Sequence, residues 1–156
     1  PFLESYQQVD RFNDMALAGF SLGGLSAFDL LWNEPGIFSR VGVFSGSFWW
    51  RSVDKSHRSY TESGSRLMHV QVRNGSFQKG LKFFFACGDG DEAEDRNGNG
   101  VIDAIDDTID LMRELLAKGY LEGRDFHYEQ LPGGRHDRAT WARALPAFLR
   151  WGWALK

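Results

Sequence analysis

The stretch Leu81-Lys82-Phe83-Phe84-Phe85-Ala86-Cys87 constrains this chain more than any other. It is apolar at every position but one, so a strand built from it has no polar face to show to water. Strands of that kind belong to parallel sheets covered by helices on both sides. The rest of the chain has matching punctuation. Ala16–Phe20 and Val41–Ser45 read as two earlier strands, and Phe126–Leu131 reads as a fourth. Leu22–Trp32, Ala104–Lys118 and Thr140–Leu155 read as helices. In Ala104–Lys118 the apolar face is expected to be Ile105, Ile109, Met112 and Leu116, with Gly119 closing the helix. Leu67–Val72 is expected to be helical within a polar excursion from Arg51 to Gly80. Strand-helix alternation predicts an α/β fold, a parallel sheet with right-handed crossovers.

The 156 residues and 42% hydrophobic content are enough for one domain with one core. The lone cysteine, Cys87, excludes an intrachain disulfide and reads as a small buried hydrophobe. No apolar run reaches membrane-spanning length, so no membrane partner is expected. Net charge is −3, but Asp89 to Asp110 holds nine acidic residues against one basic, Arg96. No compact basic cluster offers a nucleic-acid face, whereas the acidic segment asks for a cation.

In parallel sheets chemistry collects beyond the carboxyl ends of the strands. After the first strand comes Gly19-Phe20-Ser21-Leu22-Gly23. Set between a strand and a helix, this is the pattern of a nucleophile elbow, a turn tight enough to require glycine on either side of the serine. After the second strand comes Ser45-Gly46-Ser47-Phe48-Trp49-Trp50. After the third come Asp89, Asp91 and Glu92, and after the fourth Pro132-Gly133-Gly134-Arg135-His136. A hydroxyl, a carboxylate and an imidazole thus appear in the order Ser, Asp, His. In that arrangement Ser21 is the nucleophile, His136 the base and a carboxylate the group that orients the base. His136 is preferred over His57, His69 and His127 because it alone follows a strand end. Among the acids Asp91 is preferred, three residues past Gly88, with Glu92 next.

The runs Leu17–Gly24 and Phe44–Trp50, with Gly88-x-x-Asp91 and Pro132-Gly133-Gly134…His136, resemble the esterase family of α/β-hydrolases. That family includes enterochelin esterases, feruloyl and acetylxylan esterases and S-formylglutathione hydrolase. The Ser-Gly-Ser-Phe-Trp-Trp run resembles the enterochelin esterase branch most. The resemblance implies Ser21, Asp91 and His136 as a triad, and the backbone N–H of Leu22 as one oxyanion donor. It also implies that only the C-terminal half of the fold, about four strands, is present. The first strand would then be an unpaired apolar edge. An N-terminal half is expected from an absent segment, in keeping with a start at Pro1 and not Met.

Asp95 to Asp106 matches a twelve-position calcium loop. Asp95, Asn97 and Asn99 stand at positions 1, 3 and 5, and Gly100 at 6. Val101 offers its carbonyl at 7, Asp103 stands at 9 and Asp106 at 12. An all-oxygen set suits Ca²⁺ and not Zn²⁺. The expected role is structural, steadying the loop that carries Asp91, with no cofactor for catalysis. Such sites fill where calcium is millimolar, which points to a periplasmic or secreted protein.

Together these features predict a carboxylic ester hydrolase working through an acyl-enzyme. Its substrate is expected to be a small-molecule or carbohydrate ester. Trp49 and Trp50 are the candidate substrate-binding residues, one buried and one lining the pocket, and Trp141 is expected to pack the closing helix. The alternatives are an acyltransferase with the same triad, or a catalytically dead calcium-binding interaction module.

Overall fold

The computed structural model describes residues 15–153. Four strands are present among them: β1 (Ala16–Phe20), β2 (Arg40–Phe44), β3 (Lys82–Gly90) and β4 (Phe126–Arg135). All pair in parallel, in the order β1-β2-β3-β4. The helices are α1 (Leu22–Asn33), α2 (Glu62–Ser65), α3 (Leu67–Asn74), α4 (Asp103–Ala117) and α5 (Arg138–Trp153). The expected α/β class and parallel sheet are both observed.

The apolar run in β3 explains the layering. Phe83 and Phe85 point to one face of the sheet, where they meet Phe28 and Leu31 of α1, Met68 and Val72 of α3, and Leu111 and Leu115 of α4. Phe84 and Ala86 point to the other, where Ala144 and Phe148 of α5 cover them with Phe44 and Leu131. Period-two alternation along one strand thus serves two cores.

Several boundaries differ from the sequence expectation. β3 continues through Gly90, so Asp91 is the first residue beyond it. β4 runs on to Arg135, so Pro132-Gly133-Gly134 lies inside the strand. The register explains how: Gly88 faces Leu131 but Gly90 faces Arg135, so β4 bulges through the Pro-Gly-Gly segment, with Gly133 at φ +64°. In α4 the buried face is Ile105, Thr108, Leu111, Met112 and Leu115, while Leu116 is exposed and Ile109 only partly buried. Two overlapping i, i+3, i+4 series were available, and the docking of α4 on the sheet turns Leu111 and Leu115 inward and Leu116 outward. Gly119 does close this helix, at φ +99° with its N–H on the Leu116 carbonyl. The closing helix begins at Arg138, and Leu155 lies outside the described residues.

Candidate active site

β1 hands over to α1 within one residue, and that residue is Ser21. Its backbone stands at φ +53°, ψ −124°, a conformation that costs a side-chain-bearing residue about 1–3 kcal/mol. The turn is held from several sides. Ser21 N–H donates to the Phe44 carbonyl at 3.0 Å. The Ser21 carbonyl accepts from Gly24 N–H, Leu25 N–H and Ser47 N–H at 3.0, 3.1 and 3.1 Å. A methyl group on Gly19 would lie 2.1 Å from the Gly23 carbonyl oxygen, so glycine is obligatory there. Gly23 has open space around it, and Gly24 is the second tight position, 3.0 Å from Gly19 O and from Val43 Cγ1. The expectation that glycine is required on both sides of Ser21 therefore holds at Gly19, fails at Gly23, and on the helical side falls on Gly24 instead. The cause is that Gly23 already belongs to the outward side of α1.

Beside this turn lies the end of β2. Ser45 also has a positive φ, +49°, and its hydroxyl accepts from the Trp141 indole N–H at 2.8 Å. Ser47 is buried, with its Oγ 3.3 Å from Ser21 Oγ. Trp141 stacks on Phe20 at a centroid distance of 4.8 Å and receives the His136 ring edge-on at 5.2 Å. The sequence assigns no role to Ser45 or Ser47; Trp141 packs against the core under the closing helix as expected, and in addition reaches the site. The signal for Trp141 was only its separation of five residues from His136, and its neighbours come from three strand ends.

His136 is exposed, the first residue past β4. Among the described residues no hydrogen bond joins it to Ser21 or Asp91. The other histidines are placed elsewhere. His57 bonds Ser59 on an exposed turn. His127 stacks between Phe84 and Trp151. His69 is fully buried with Nε2 2.8 Å from the Asp107 carbonyl, and burial pushes its pKa down to about 4.

The two candidate acids part clearly. Glu92 Oε1 accepts from the Ala104 N–H and so caps the start of α4. Both Asp91 carboxylate oxygens are shielded from solvent and have no hydrogen-bond partner among the described residues. Asp91 folds back over the paired ends of β3 and β4, where a methyl group on Gly88 would lie 2.7 Å from Asp91 Oδ1 and 2.5 Å from the Gly134 carbonyl carbon. The Gly-x-x-Asp spacing thus has a steric reason: Gly88 makes room for the carboxylate.

Trp49 and Trp50 are both exposed, at 42% each, with rings 5.3 Å apart. The expected division into one buried and one open indole is not observed. Phe48 takes the core place instead, fully buried and edge-on to Phe28 and Phe85. Trp49 and Trp50 line an open cavity of about 380 Å³ with Arg51, Val53 and Lys55.

The 95–106 loop is also well defined. Asp95 accepts from the N–H groups of Gly98, Asn99 and Gly100, which hold its carboxyl below the usual range. Gly98 and Gly100 stand at φ +68° and +82°. Asn97 and Asn99 both reach Asp106 Oδ2 at 2.9 Å. Asp95, Asn97, Asn99 and Asp106 therefore belong to one hydrogen-bonded loop. Asp103 is apart, buried and bonded to the Arg96 N–H and guanidinium. Arg96 also meets Asp107 at 2.7 Å, where Arg66 makes a second contact at 2.7 Å. No group of three or more His, Cys, Asp or Glu side chains is placed to hold a metal ion among the described residues.

Comparison with known proteins places this geometry in context. Residues 1–151 match the family described as "Putative esterase". The chain belongs to this esterase family. Among solved structures it is similar to the enterochelin esterase of Shigella flexneri, with TM-score 0.68 and 23% identity over 97% of this chain and 33% of that one. A ferulic acid esterase matches with TM-score 0.61 and 18% identity, covering 97% of this chain and 56% of the other. The S-formylglutathione hydrolase of Staphylococcus aureus matches with TM-score 0.61 and 16% identity, covering 97% and 57%. This esterase-family chain spans about a third of the length of the enterochelin esterase. No match was found among curated proteins.

Proposed function

We propose that this chain carries the catalytic core of a carboxylic ester hydrolase. The observation that carries the reading is Ser21 at φ +53° between β1 and α1, with its hydroxyl at a helix N-terminus. Ser21 Oγ adds to the ester carbonyl while His136 takes its proton. The resulting oxyanion faces the Leu22 N–H, the first amide of α1. Collapse expels the alcohol, which takes its proton from His136, and leaves an acyl group on Ser21. Water then adds by the same route, releasing the acid and restoring Ser21.

Asp91 is the orienting acid in this reading. A shielded carboxyl oxygen without a donor costs about 1–3 kcal/mol, the penalty of an unmade hydrogen bond. An imidazole N–H satisfies it, and His136 lies two residues from Gly134, which packs beside Asp91. In this reading the His136 ring turns from its contact with Trp141 towards Asp91 when it acts as base. The exposed Trp49–Trp50 pair offers flat apolar surface for an aromatic acyl group or a sugar.

Calcium is proposed as a structural ion of the 95–106 loop, held by Asp95, Asn97, Asn99, Asp106 and the Val101 carbonyl. The support is that these residues already close one loop with glycine at both positive-φ positions. Asp103 is left out of this set because Arg96 engages it.

The test of function is p-nitrophenyl acetate hydrolysis by the protein at its natural length, wild type against Ser21→Ala. A fall of at least about a thousandfold supports the reading. Equal turnover by both proteins overturns it.

A further inference from the structure

We infer that Ser47 is a positioning residue for the nucleophile, donating a hydrogen bond to Ser21 Oγ as that oxygen gives up its proton. The inference rests on the reading of Ser21 as nucleophile.

Three observations meet at this residue. The Ser47 hydroxyl is 3.3 Å from Ser21 Oγ, across 26 residues of sequence. Its own backbone N–H grips the Ser21 carbonyl at 3.1 Å, so the two residues are held together by main chain as well as side chain. Ser47 is only 3% exposed, so bulk water does not compete for the contact. The neighbouring hydroxyl of Ser45 is not equivalent, because it is engaged by the Trp141 indole.

The distance itself decides the role. Neutral hydroxyl pairs favour about 2.7–2.8 Å, so 3.3 Å is a weak bond in the resting state. When His136 withdraws the Ser21 proton, charge builds on Ser21 Oγ. Hydrogen bonds to ionised oxygen shorten to about 2.5–2.7 Å and roughly double in strength. The Ser47 bond is thus worth more in the transition state than with substrate merely bound. A contact of that kind raises kcat and leaves KM nearly unchanged. Donation from Ser47 also frees the Ser21 proton to point at the base.

The experiment compares Ser47→Ala, Ser47→Cys and Ser47→Thr in the protein at its natural length. Cysteine keeps the size but is a poor donor, and threonine keeps the hydroxyl. The readouts are p-nitrophenyl acetate kinetics and the rate of labelling by a fluorophosphonate probe. In that labelling Ser21 Oγ bonds to phosphorus, fluoride leaves and His136 takes the proton. Alanine and cysteine variants are expected to lose roughly 10- to 100-fold in kcat and in labelling rate, with KM within about twofold. Threonine is expected to recover most of the rate. If the alanine variant fails to fold, the near-isosteric cysteine variant carries the test. Unchanged kcat in Ser47→Cys, or a loss confined to KM, overturns the inference while Ser21→Ala remains inactive. Activity persisting in Ser21→Ala, or label found on Ser47, overturns the parent reading instead.

Discussion

The indole N–H of Trp141 donates to the hydroxyl of Ser45 at 2.8 Å, across 96 residues of sequence. The same ring lies flat on Phe20 and under the edge of His136. One α5 side chain therefore touches the residue before the nucleophile, the strained end of β2 and the candidate base. Trp141→Phe keeps an aromatic ring beside Phe20 but removes the N–H donor and one ring of the indole. It is expected to lower kcat several-fold, with a loss of about 1 kcal/mol in stability, read by steady-state kinetics and urea unfolding. Trp141→Ala is expected to do more on both counts, because the Phe20 stack goes as well.

Asp91 and Glu92 predict opposite phenotypes. Asp91→Asn is expected to reduce kcat by about two to four orders of magnitude with no loss of melting temperature, since it removes a carboxylate whose shielded oxygens have no hydrogen-bond partner among the described residues. Glu92→Gln weakens the cap on Ala104 N–H and is expected to cost about 0.5–2 kcal/mol of stability with little change in kcat. Kinetics and thermal denaturation of the two variants side by side check this; the reverse pattern would reassign the acid.

The elbow glycines are separable. Gly19→Ala forces a methyl into the Gly23 carbonyl and is expected to destabilise by about 3 kcal/mol or more, or to prevent soluble expression. Gly23→Ala meets open space within α1 and is expected to be neutral or slightly stabilising. Denaturant midpoints of both variants decide the matter.

His69 sets an acid limit on stability. Its pKa is lowered from 6.5 to about 4 in the folded state, chiefly by burial and secondarily by Arg66. The unfolded chain therefore takes up a proton below pH 6.5 that the folded chain refuses until about pH 4. Stability from this residue is intact above pH 6.5 and falls as pH drops towards 4, by up to roughly 3 kcal/mol. Urea midpoints measured between pH 7 and 4 should show this slope, and His69→Gln should flatten it.

Calcium binding to the 95–106 loop predicts a melting temperature that falls with EGTA and recovers on adding CaCl₂. Asp95→Ala, which removes the acceptor of three loop N–H groups, is expected to abolish that response. A melting curve indifferent to both reagents would remove calcium from the account.

Much of the fold was legible in the residues themselves. The apolar run of β3, the glycine-flanked Ser21 and the order of polar residues at strand ends are local or periodic signals. The burial of strand faces and the tightness of a turn depend on such signals. The limits of legibility are equally physical. Whether Ile109 and Leu116 or Leu111 and Leu115 face the sheet depended on which stripe the sheet could cover, not on the helix. The Pro-Gly-Gly bulge arose from pairing with β3, which a single strand does not contain.

For the site, sequence alone determined that a serine sits in an elbow, that a carboxylate follows Gly88 and that an imidazole follows β4. The preference for Asp91 over Glu92 was there too, but only the tertiary structure gave Glu92 a helix to cap and left the Asp91 oxygens shielded, with no donor among the described residues. It also brought Ser47 and Trp141 to Ser21, because neighbouring parallel strands end side by side and residues far apart in sequence meet there.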